Sequence, residues 1–151
     1  STPIDQLYDF MKMLNNGWDI VIGSREHPDS QVRTSFKRWF IGRTFHALVL
    51  AYTGLDYRDT QCGFKLFTAK AAEDIFSRTE CTSMAFDVEA LYLARQLDYN
   101  CTEIPVTWKN DSDSRVRLVR DSWSMLRDLL RIREIHRDEK KVTVTSEVTV
   151  T

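Results

Sequence analysis

The sequence lacks a surplus of charge of either sign and a patterned set of cysteines. Its 151 residues include 21 lysines and arginines and 22 aspartates and glutamates, so that the formal net charge is −1. This balance argues against nucleic-acid binding through bulk charge and against an acidic tail. The cysteines, Cys62, Cys81 and Cys101, are odd in number and lack the spacing of a metal site or a disulfide framework, which indicates a reducing compartment.

A long uninterrupted apolar run is also missing. The longest apolar stretch, from Trp39 to Leu55, contains Arg43 and His46. It falls short of the roughly 20 clean apolar residues that a membrane-spanning helix needs. The sequence does contain 42% hydrophobic residues and has the length of one domain. Such a chain can bury a core, which argues against wholesale disorder.

Alternating helical and strand patterns predict an α/β fold. We predict helices over residues 1–17, 36–52, 69–76, 86–96 and 118–135. Short apolar segments predict strands at 18–22, 64–67 and 101–108. The intervening polar segments predict loops at 24–32, 56–63 and 109–116.

Local signals fix several element ends. Ser1 or Thr2 can cap the first helix, and glycines stop the first two helices near Gly17 and Gly54. The apolar stripe of the first helix consists of Leu7, Phe10, Met11 and Leu14. Pro105 indicates that the last of these strands lies at a sheet edge or contains a bulge.

The last 15 residues form a segment of a different kind. Residues 137–141 are a charged run that indicates a linker, and residues 142–151 alternate with period two, which predicts a strand. We therefore divide the chain into a main unit, 1–136, and a charged linker with a strand-like tail, 137–151. The tail is either an unstructured end or an edge strand that pairs with this chain or a second copy.

Acids, a turn and a cation gather where strands are predicted to end. The stretches that carry them are Asp19-Ile-Val-Ile-Gly-Ser-Arg25, Asp59-Thr-Gln-Cys-Gly-Phe-Lys65 and Phe86-Asp-Val-Glu89. Together they are suited to a site for a negatively charged, transferable group. Each has a plainer interpretation: Asp59 caps a turn, Lys65 is solvated, and the acids of the third stretch favour the positive end of a helix. Residues two apart do not share a helix face, so we expect at most one of Asp87 and Glu89 in a site while the other caps or braces.

These stretches resemble the dolichyl-phosphate β-glucosyltransferase branch of the inverting family-2 glycosyltransferases. The motifs that carry the resemblance, in order, are Gly23-Ser-Arg25, Asp59 to Lys65, Phe86 to Glu89, and Glu103-Ile-Pro-Val-Thr-Trp108, and it extends from Ser1 to about Arg133. It implies a three-layer, Rossmann-like glycosyltransferase-A fold of which the chain is the C-terminal, acceptor-side half. The nucleotide-binding half, with an Asp-x-Asp pair that holds Mg²⁺ or Mn²⁺, would precede Ser1. The fragment alone is then expected to be inactive.

The resemblance also implies roles for particular residues. It makes Asp59, Asp87 and Glu89 the catalytic acids, and it places the acceptor phosphate on Arg25 and Arg38. It assigns the sugar and the diphosphate to Gln61, Gly63, Lys65, Lys109 and Arg115. The loop that would close over the diphosphate departs from the family, because Asp113-Ser-Arg115 replaces a Gly-Ser-Lys-like motif.

The implied activity is transfer of glucose from UDP-glucose to a polyprenyl phosphate, at the cytosolic face of the endoplasmic reticulum in a eukaryote or of the plasma membrane in a prokaryote. The implied partners are a nucleotide sugar, the lipid acceptor, a membrane surface, and the missing half or a second copy. Segments 36–52 and 117–133 combine aromatic, apolar and basic residues, as interfacial helices do, although such helices more often cover their own core. Two alternatives stay open: transfer of another sugar to a lipid or polysaccharide, and a non-catalytic interaction module.

Overall fold

The structure is a computed structural model that describes residues 2–33, 36–83, 85–109 and 118–136. A short 3-10 helix, Ile4–Gln6, leads into the first α-helix. The elements then occur in the order α1 (Leu7–Asn15), β1 (Ile20–Ser24), β2 (Gln31–Arg33), α2 (Phe36–Thr53), β3 (Lys65–Phe67), α3 (Ala69–Phe76), α4 (Phe86–Gln96), β4 (Cys101–Pro105), β5 (Thr107–Lys109) and α5 (Leu118–Ile135). This mixed arrangement confirms the predicted α/β class.

The central sheet is mixed and is built around β1. Its strand order is β3-β1-β4, with β1 antiparallel to β3 and parallel to β4. In the parallel pair Ile20 lies opposite Cys101 and Ser24 lies opposite Pro105. The carboxyl ends of β1 and β4 therefore meet at one edge, and the residues just after these two strands lie close together. A second, two-stranded parallel sheet joins β2 to β5 beyond that edge.

Apolar side chains cover both faces of β1. Successive strand residues point to opposite faces, so Ile20 and Ile22 join one cluster while Val21 joins the other. The larger cluster is formed with residues of α2, α4 and α5, among them Val49, Leu91 and Leu129. The smaller one consists of Phe10, Val21, Cys62 and Val106. Because both faces are covered, every residue of β1 is buried, and the strand gives rigid support to the residues at its carboxyl end.

Helix bounds agree closely with the sequence prediction. α3, α4 and α5 span the predicted residues, and α2 ends one residue later than predicted. Thr68 explains the start of α3, because its side chain accepts a hydrogen bond from the amide of Ala71. Gly17 and Gly54 have φ angles of +95° and +67°, which ends α1 and α2 as predicted.

The first helix was predicted to start too early and with too wide an apolar stripe. Pro3, with an extended backbone (ψ 140°), precedes the 3-10 turn, and α1 itself begins at Leu7. Phe10 is fully buried, whereas Met11 is 50% exposed. The cap predicted at Thr2 is therefore wrong, and Ser1 lies outside the described residues. The helix touches the sheet through a stripe narrower than the sequence pattern indicated.

Two strand predictions also need correction. The predicted loop 24–32 contains the end of β1 and the start of β2, and the predicted strand 101–108 is two strands separated by Val106. The amide of Val106 donates to Ser30 Oγ at 3.1 Å, and after it the chain leaves β1 and pairs with β2. The edge position predicted from Pro105 is confirmed within the described sheet. The linker and tail, 137–151, lie outside the described residues.

Candidate active site at the strand ends

Asp59 and Arg25 form a bidentate ion pair at the carboxyl end of β1. Asp59 Oδ2 accepts hydrogen bonds from the Arg25 backbone amide at 2.9 Å and from Arg25 Nε at 2.7 Å. Asp59 Oδ1 accepts from Arg25 Nη2 at 3.0 Å and from the Gln61 amide at 3.2 Å. Separate roles were predicted for these two side chains, and the structure brings them together across 34 positions of the sequence.

The environment of the pair keeps both groups charged. Burial alone would raise the pKa of Asp59, but the hydrogen bonds and the positive charge of Arg25 outweigh it and lower that pKa. Burial alone would likewise lower the pKa of Arg25, and the carboxylate of Asp59 reverses this and raises it. Asp59 is therefore a carboxylate at neutral pH, with no proton of its own to donate.

One side of Arg25 remains open to a ligand. The pair uses Nε and Nη2 and leaves Nη1 out, and the Arg25 side chain is 31% exposed. Its guanidinium carbon lies 5.7 Å from the centre of the Trp108 ring, a distance typical of a cation–π contact. Asp59 and Trp108 thus fix the plane of the guanidinium group while part of it still reaches solvent.

A second ion pair joins Lys65 to Asp87. Lys65 Nζ donates to Asp87 Oδ1 and to the Cys62 carbonyl oxygen, both at 2.7 Å. The Lys65 side chain is only 5% exposed, so the interpretation of Lys65 as a solvated cation is wrong. Asp87 is 30% exposed. This pair ties the turn at residues 62–63 to the first turn of α4, and a phosphate contact by Lys65 stays a prediction.

Glu89 is enclosed by the protein. It is 0% exposed, and its carboxylate accepts from the amides of Glu80 at 3.0 Å and Cys81 at 2.9 Å and contacts His136 Nε2 at 2.8 Å. Burial would raise the pKa of Glu89, but the hydrogen bonds from His136 and the two amides lower it. Of the two acids in this motif, Glu89 has the contacts of a brace, and its catalytic assignment stays a prediction.

The glycine on which the local geometry depends is Gly23. A Cβ placed there would lie 2.7 Å from Val106 Cγ1 and 3.0 Å from the Phe64 carbonyl oxygen. A side chain at position 23 would therefore push Val106 and the backbone at Phe64 away from β1. A Cβ at Gly63 would meet nothing within 4 Å, and Gly63 does not have a positive φ. The backbone at position 63 therefore does not depend on a glycine, and a contact of Gly63 with the sugar stays a prediction.

Glu103 contacts the site although no role was predicted for it from the sequence. Its carboxylate accepts the backbone amides of Arg58 at 2.9 Å and Asp59 at 3.0 Å, which fixes the loop that carries Asp59. Glu103 opens the fourth matched motif, and this was the available signal. Local pattern alone could not reveal its partners, because they lie more than 40 residues away.

Several predicted site residues have few or no described contacts. Gln61 lies beside Asp59 with its Nε2 at 3.9 Å from Met125 Sδ. Arg38 and Lys109 belong to α2 and β5, but their side chains lie outside the described part of the chain, as does the whole of Arg115. Within the described ranges, no group of three or more histidine, cysteine, aspartate and glutamate residues could hold a metal ion.

Among the curated proteins that are similar in sequence, three with the name dolichyl-phosphate β-glucosyltransferase illustrate the match. The protein of Dictyostelium discoideum is 38% identical over 125 residues, which are 81% of this chain and 38% of that protein. That of Drosophila melanogaster is 38% identical over 133 residues, 85% of this chain and 41% of the relative. That of Mus musculus is 40% identical over 116 residues, 76% and 36% of the two lengths. No protein-family model matches the chain, and no solved structure matches it significantly.

These findings identify the class of protein to which the chain is related, the glycosyltransferases. Within that class, the chain is similar over about four fifths of its length to dolichyl-phosphate β-glucosyltransferases, which confirms the resemblance carried by the four motifs. The chain spans about two fifths of the length of these relatives.

Proposed function

We propose that this chain is the acceptor-side half of a glycosyltransferase-A fold, and that the complete protein transfers glucose from UDP-glucose to a polyprenyl phosphate with inversion. The observation that carries the proposal is the Arg25–Asp59 pair, a partly open guanidinium group held at the carboxyl end of a buried strand. The mixed sheet, with apolar layers on both faces of β1, supports the fold. The names of the relatives support the acceptor and the sugar.

The geometry suits an acceptor that is already an anion. A phosphate monoester is ionised at neutral pH, so its oxygen attacks without first losing a proton to a base. Arg25 binds phosphate oxygens through its open side, because guanidinium groups form strong charge-assisted hydrogen bonds with phosphate. Asp59 holds Arg25 in place and supplies negative charge near the sugar, where positive charge develops in the transition state.

The transfer step itself is a displacement at the anomeric carbon. A phosphate oxygen of the acceptor forms the new carbon–oxygen bond on the face opposite the nucleotide. The bond to the diphosphate breaks, and its electron pair leaves with UDP. Lys65 and Asp87 hold the turn of residues 62–63 beside this position, so that Gln61 and Gly63 line the pocket for the sugar.

A divalent metal, Mg²⁺ or Mn²⁺, belongs to the proposal for the complete protein. The described residues do not fit one, because they contain no suitable cluster of ligands. We assign no step to the metal, and only the resemblance implies where its ligands belong in the complete protein. The nucleotide-binding half that the resemblance implies would supply the nucleotide pocket and would partner this chain.

We further propose that the helices α2 and α5 face the cytosolic surface of a membrane, that of the endoplasmic reticulum in a eukaryote. The two helices are joined where Tyr52 Oη donates to the Leu130 carbonyl oxygen at 2.9 Å. Phe40, Leu48 and Leu130 are 60%, 46% and 48% exposed, with basic residues on the same helices, and this composition suits an interfacial position. Within the described residues, no helix is both long enough and apolar enough to cross a bilayer.

The experiment is an acceptor assay on a protein that contains this chain with its flanking sequence. Transfer of labelled glucose from UDP-glucose to dolichyl phosphate is measured while the acceptor concentration is varied. Arg25→Ala should raise the acceptor KM about 10- to 100-fold, because hydrogen bonds to a charged group contribute about 1.5–3 kcal/mol. Arg25→Lys should recover part of that loss, since an ammonium group keeps the charge but loses the fork. The KM for UDP-glucose should stay near that of the parent.

Arg58→Ala is the matched control, because Arg58 is an exposed arginine of the loop that carries Asp59. Equal acceptor KM values in the parent and Arg25→Ala would remove the phosphate assignment. Preference for another nucleotide sugar would overturn the choice of glucose and leave the class intact. No transfer with any donor, in a folded protein that has both halves, would favour the non-catalytic interaction module.

A further inference from the structure

Glu103 links the central sheet to the loop that carries Asp59. It lies in β4 opposite Ile22, a fully buried residue of β1. Its two carboxylate oxygens accept consecutive backbone amides: Oε2 accepts that of Arg58 at 2.9 Å and Oε1 accepts that of Asp59 at 3.0 Å. The backbone at Arg58 and Asp59 is therefore held by the side chain of Glu103, which belongs to a paired strand.

The network continues from that backbone to the cation. The Asp59 side chain accepts three hydrogen bonds from Arg25, one of them from the Arg25 backbone amide. The strand of Glu103 leads on to Trp108, over which the guanidinium group lies. Both ends of segment 103–108 therefore hold Arg25. Glu103 acts at one end through Asp59, and the indole ring of Trp108 contacts the guanidinium group at the other.

We propose that Glu103 is a positioning residue, which holds Asp59 so that Arg25 keeps the orientation the reaction uses. Glu103 acts through Asp59 and does not touch a substrate. A carboxylate is required, because only a carboxylate offers an acceptor oxygen to each of the two amides. Glutamine has the same shape, but it would turn an NH₂ group towards one of these N–H donors. The catalytic part of this inference rests on the proposed function, and the structural part does not.

The structural part is tested on this chain by amide hydrogen exchange, measured residue by residue with NMR. Glu103→Gln should speed the exchange of the Arg58 or Asp59 amide at least about tenfold and leave the amides of β1 unchanged. Glu73→Gln on α3, an exposed glutamate, is the matched control and should change neither amide. Unchanged protection of both amides in Glu103→Gln would overturn the proposal.

Acid titration of the parent chain covers the case in which Glu103→Gln does not fold. Protonation of Glu103 weakens it as an acceptor, so the amide proton signals of Arg58 and Asp59 should move together with the side-chain signal of Glu103. Amide signals that move without any relation to that side chain would contradict the two hydrogen bonds.

The catalytic part is tested with a double-mutant cycle in the protein that contains this chain and its flanking sequence. Glu103→Gln should lower kcat about tenfold and leave the KM for UDP-glucose unchanged. Combined with Asp59→Asn, it should add little to the loss caused by Asp59→Asn alone, because residues that act through one another are not additive. Independent, multiplying losses would overturn the positioning role. A parent protein that transfers no sugar would instead overturn the proposed function. Hydrogen exchange would then still test whether Glu103 holds the amides of Arg58 and Asp59.

Discussion

Asp59 and Glu89 are two buried carboxylates with nearly the same local chemistry and different surroundings. Each accepts two backbone amides and contacts one basic side chain, and in each the hydrogen bonds lower the pKa against the effect of burial. The basic partners differ. Arg25, beside Asp59, is 31% exposed at a strand end, whereas His136, beside Glu89, is 1% exposed.

This difference separates a group that can meet a ligand from one that holds elements together. Glu89 joins α4 to residues 80–81 and to the end of α5 through His136, with no opening to solvent at the pair itself. Asp59 joins its loop to the end of β1, where the Arg25 side chain is partly exposed to solvent. Burial and a lowered pKa are shared by both acids, so neither property alone marks a reactive residue. The exposure of the basic partner differs between the two pairs, and Arg25 is the partner with an open side for a ligand.

The largest effect that would sharpen this comparison is the loss of transfer in Asp59→Asn. In the protein that contains this chain with its flanking sequence, the rate should fall by about 10²–10³, the range for removal of a group that stabilises charge in the transition state. Because Asn cannot reproduce the charged pair, we also expect about 1–3 kcal/mol of lost stability. Steady-state kinetics at a temperature where the variant is folded would check the rate, and activity within a few-fold of the parent would break the comparison.

Glu89→Ala should give the next largest effect, on stability. Removing one partner of a buried pair typically costs about 3–5 kcal/mol, because the other partner and the amides are left without compensation. Urea unfolding of this chain, monitored by circular dichroism, measures the change. Glu73→Ala, which removes an exposed glutamate, should stay within about 0.5 kcal/mol of the parent. A loss for Glu89→Ala as small as that of the control would contradict the bracing role.

The smallest effect concerns acid pH, and both carboxylates contribute to it. A lowered pKa in the folded state means that each pair stabilises the fold fully above the ordinary carboxyl values of about 3.9 for Asp and about 4.3 for Glu, and loses that contribution as the pH falls through the lower folded value. The free energy of unfolding should therefore decline with acidification below about pH 4. Asp59→Asn should show a shallower decline than the parent, and parallel pH curves would count against the lowered pKa of Asp59.

Much of the fold can be predicted from local patterns. The bounds of α3, α4 and α5 were predicted from periodicity and from signals at their ends, and the stops at Gly17 and Gly54 came from the same kind of signal. The strands were predicted less well. β2 and β5 are three residues each and, in the described part of the chain, pair with one another and with no other strand, so their formation depends on where the chain turns after β1 and β4.

For the candidate site, the sequence alone determined which residues were predicted as a set: Arg25, Asp59, Lys65, Asp87 and Glu89 all came from motifs and from the resemblance that they carry. Only the tertiary structure decided their partners. Arg25 pairs with Asp59, Lys65 with Asp87, Glu89 with His136, and Glu103 with the loop backbone. The physical reason is that periodicity and capping act within a few residues. The partner of a buried charge, by contrast, is set by burial and by which strand ends the sheet brings together, across 22 to 47 positions of the chain in these pairs.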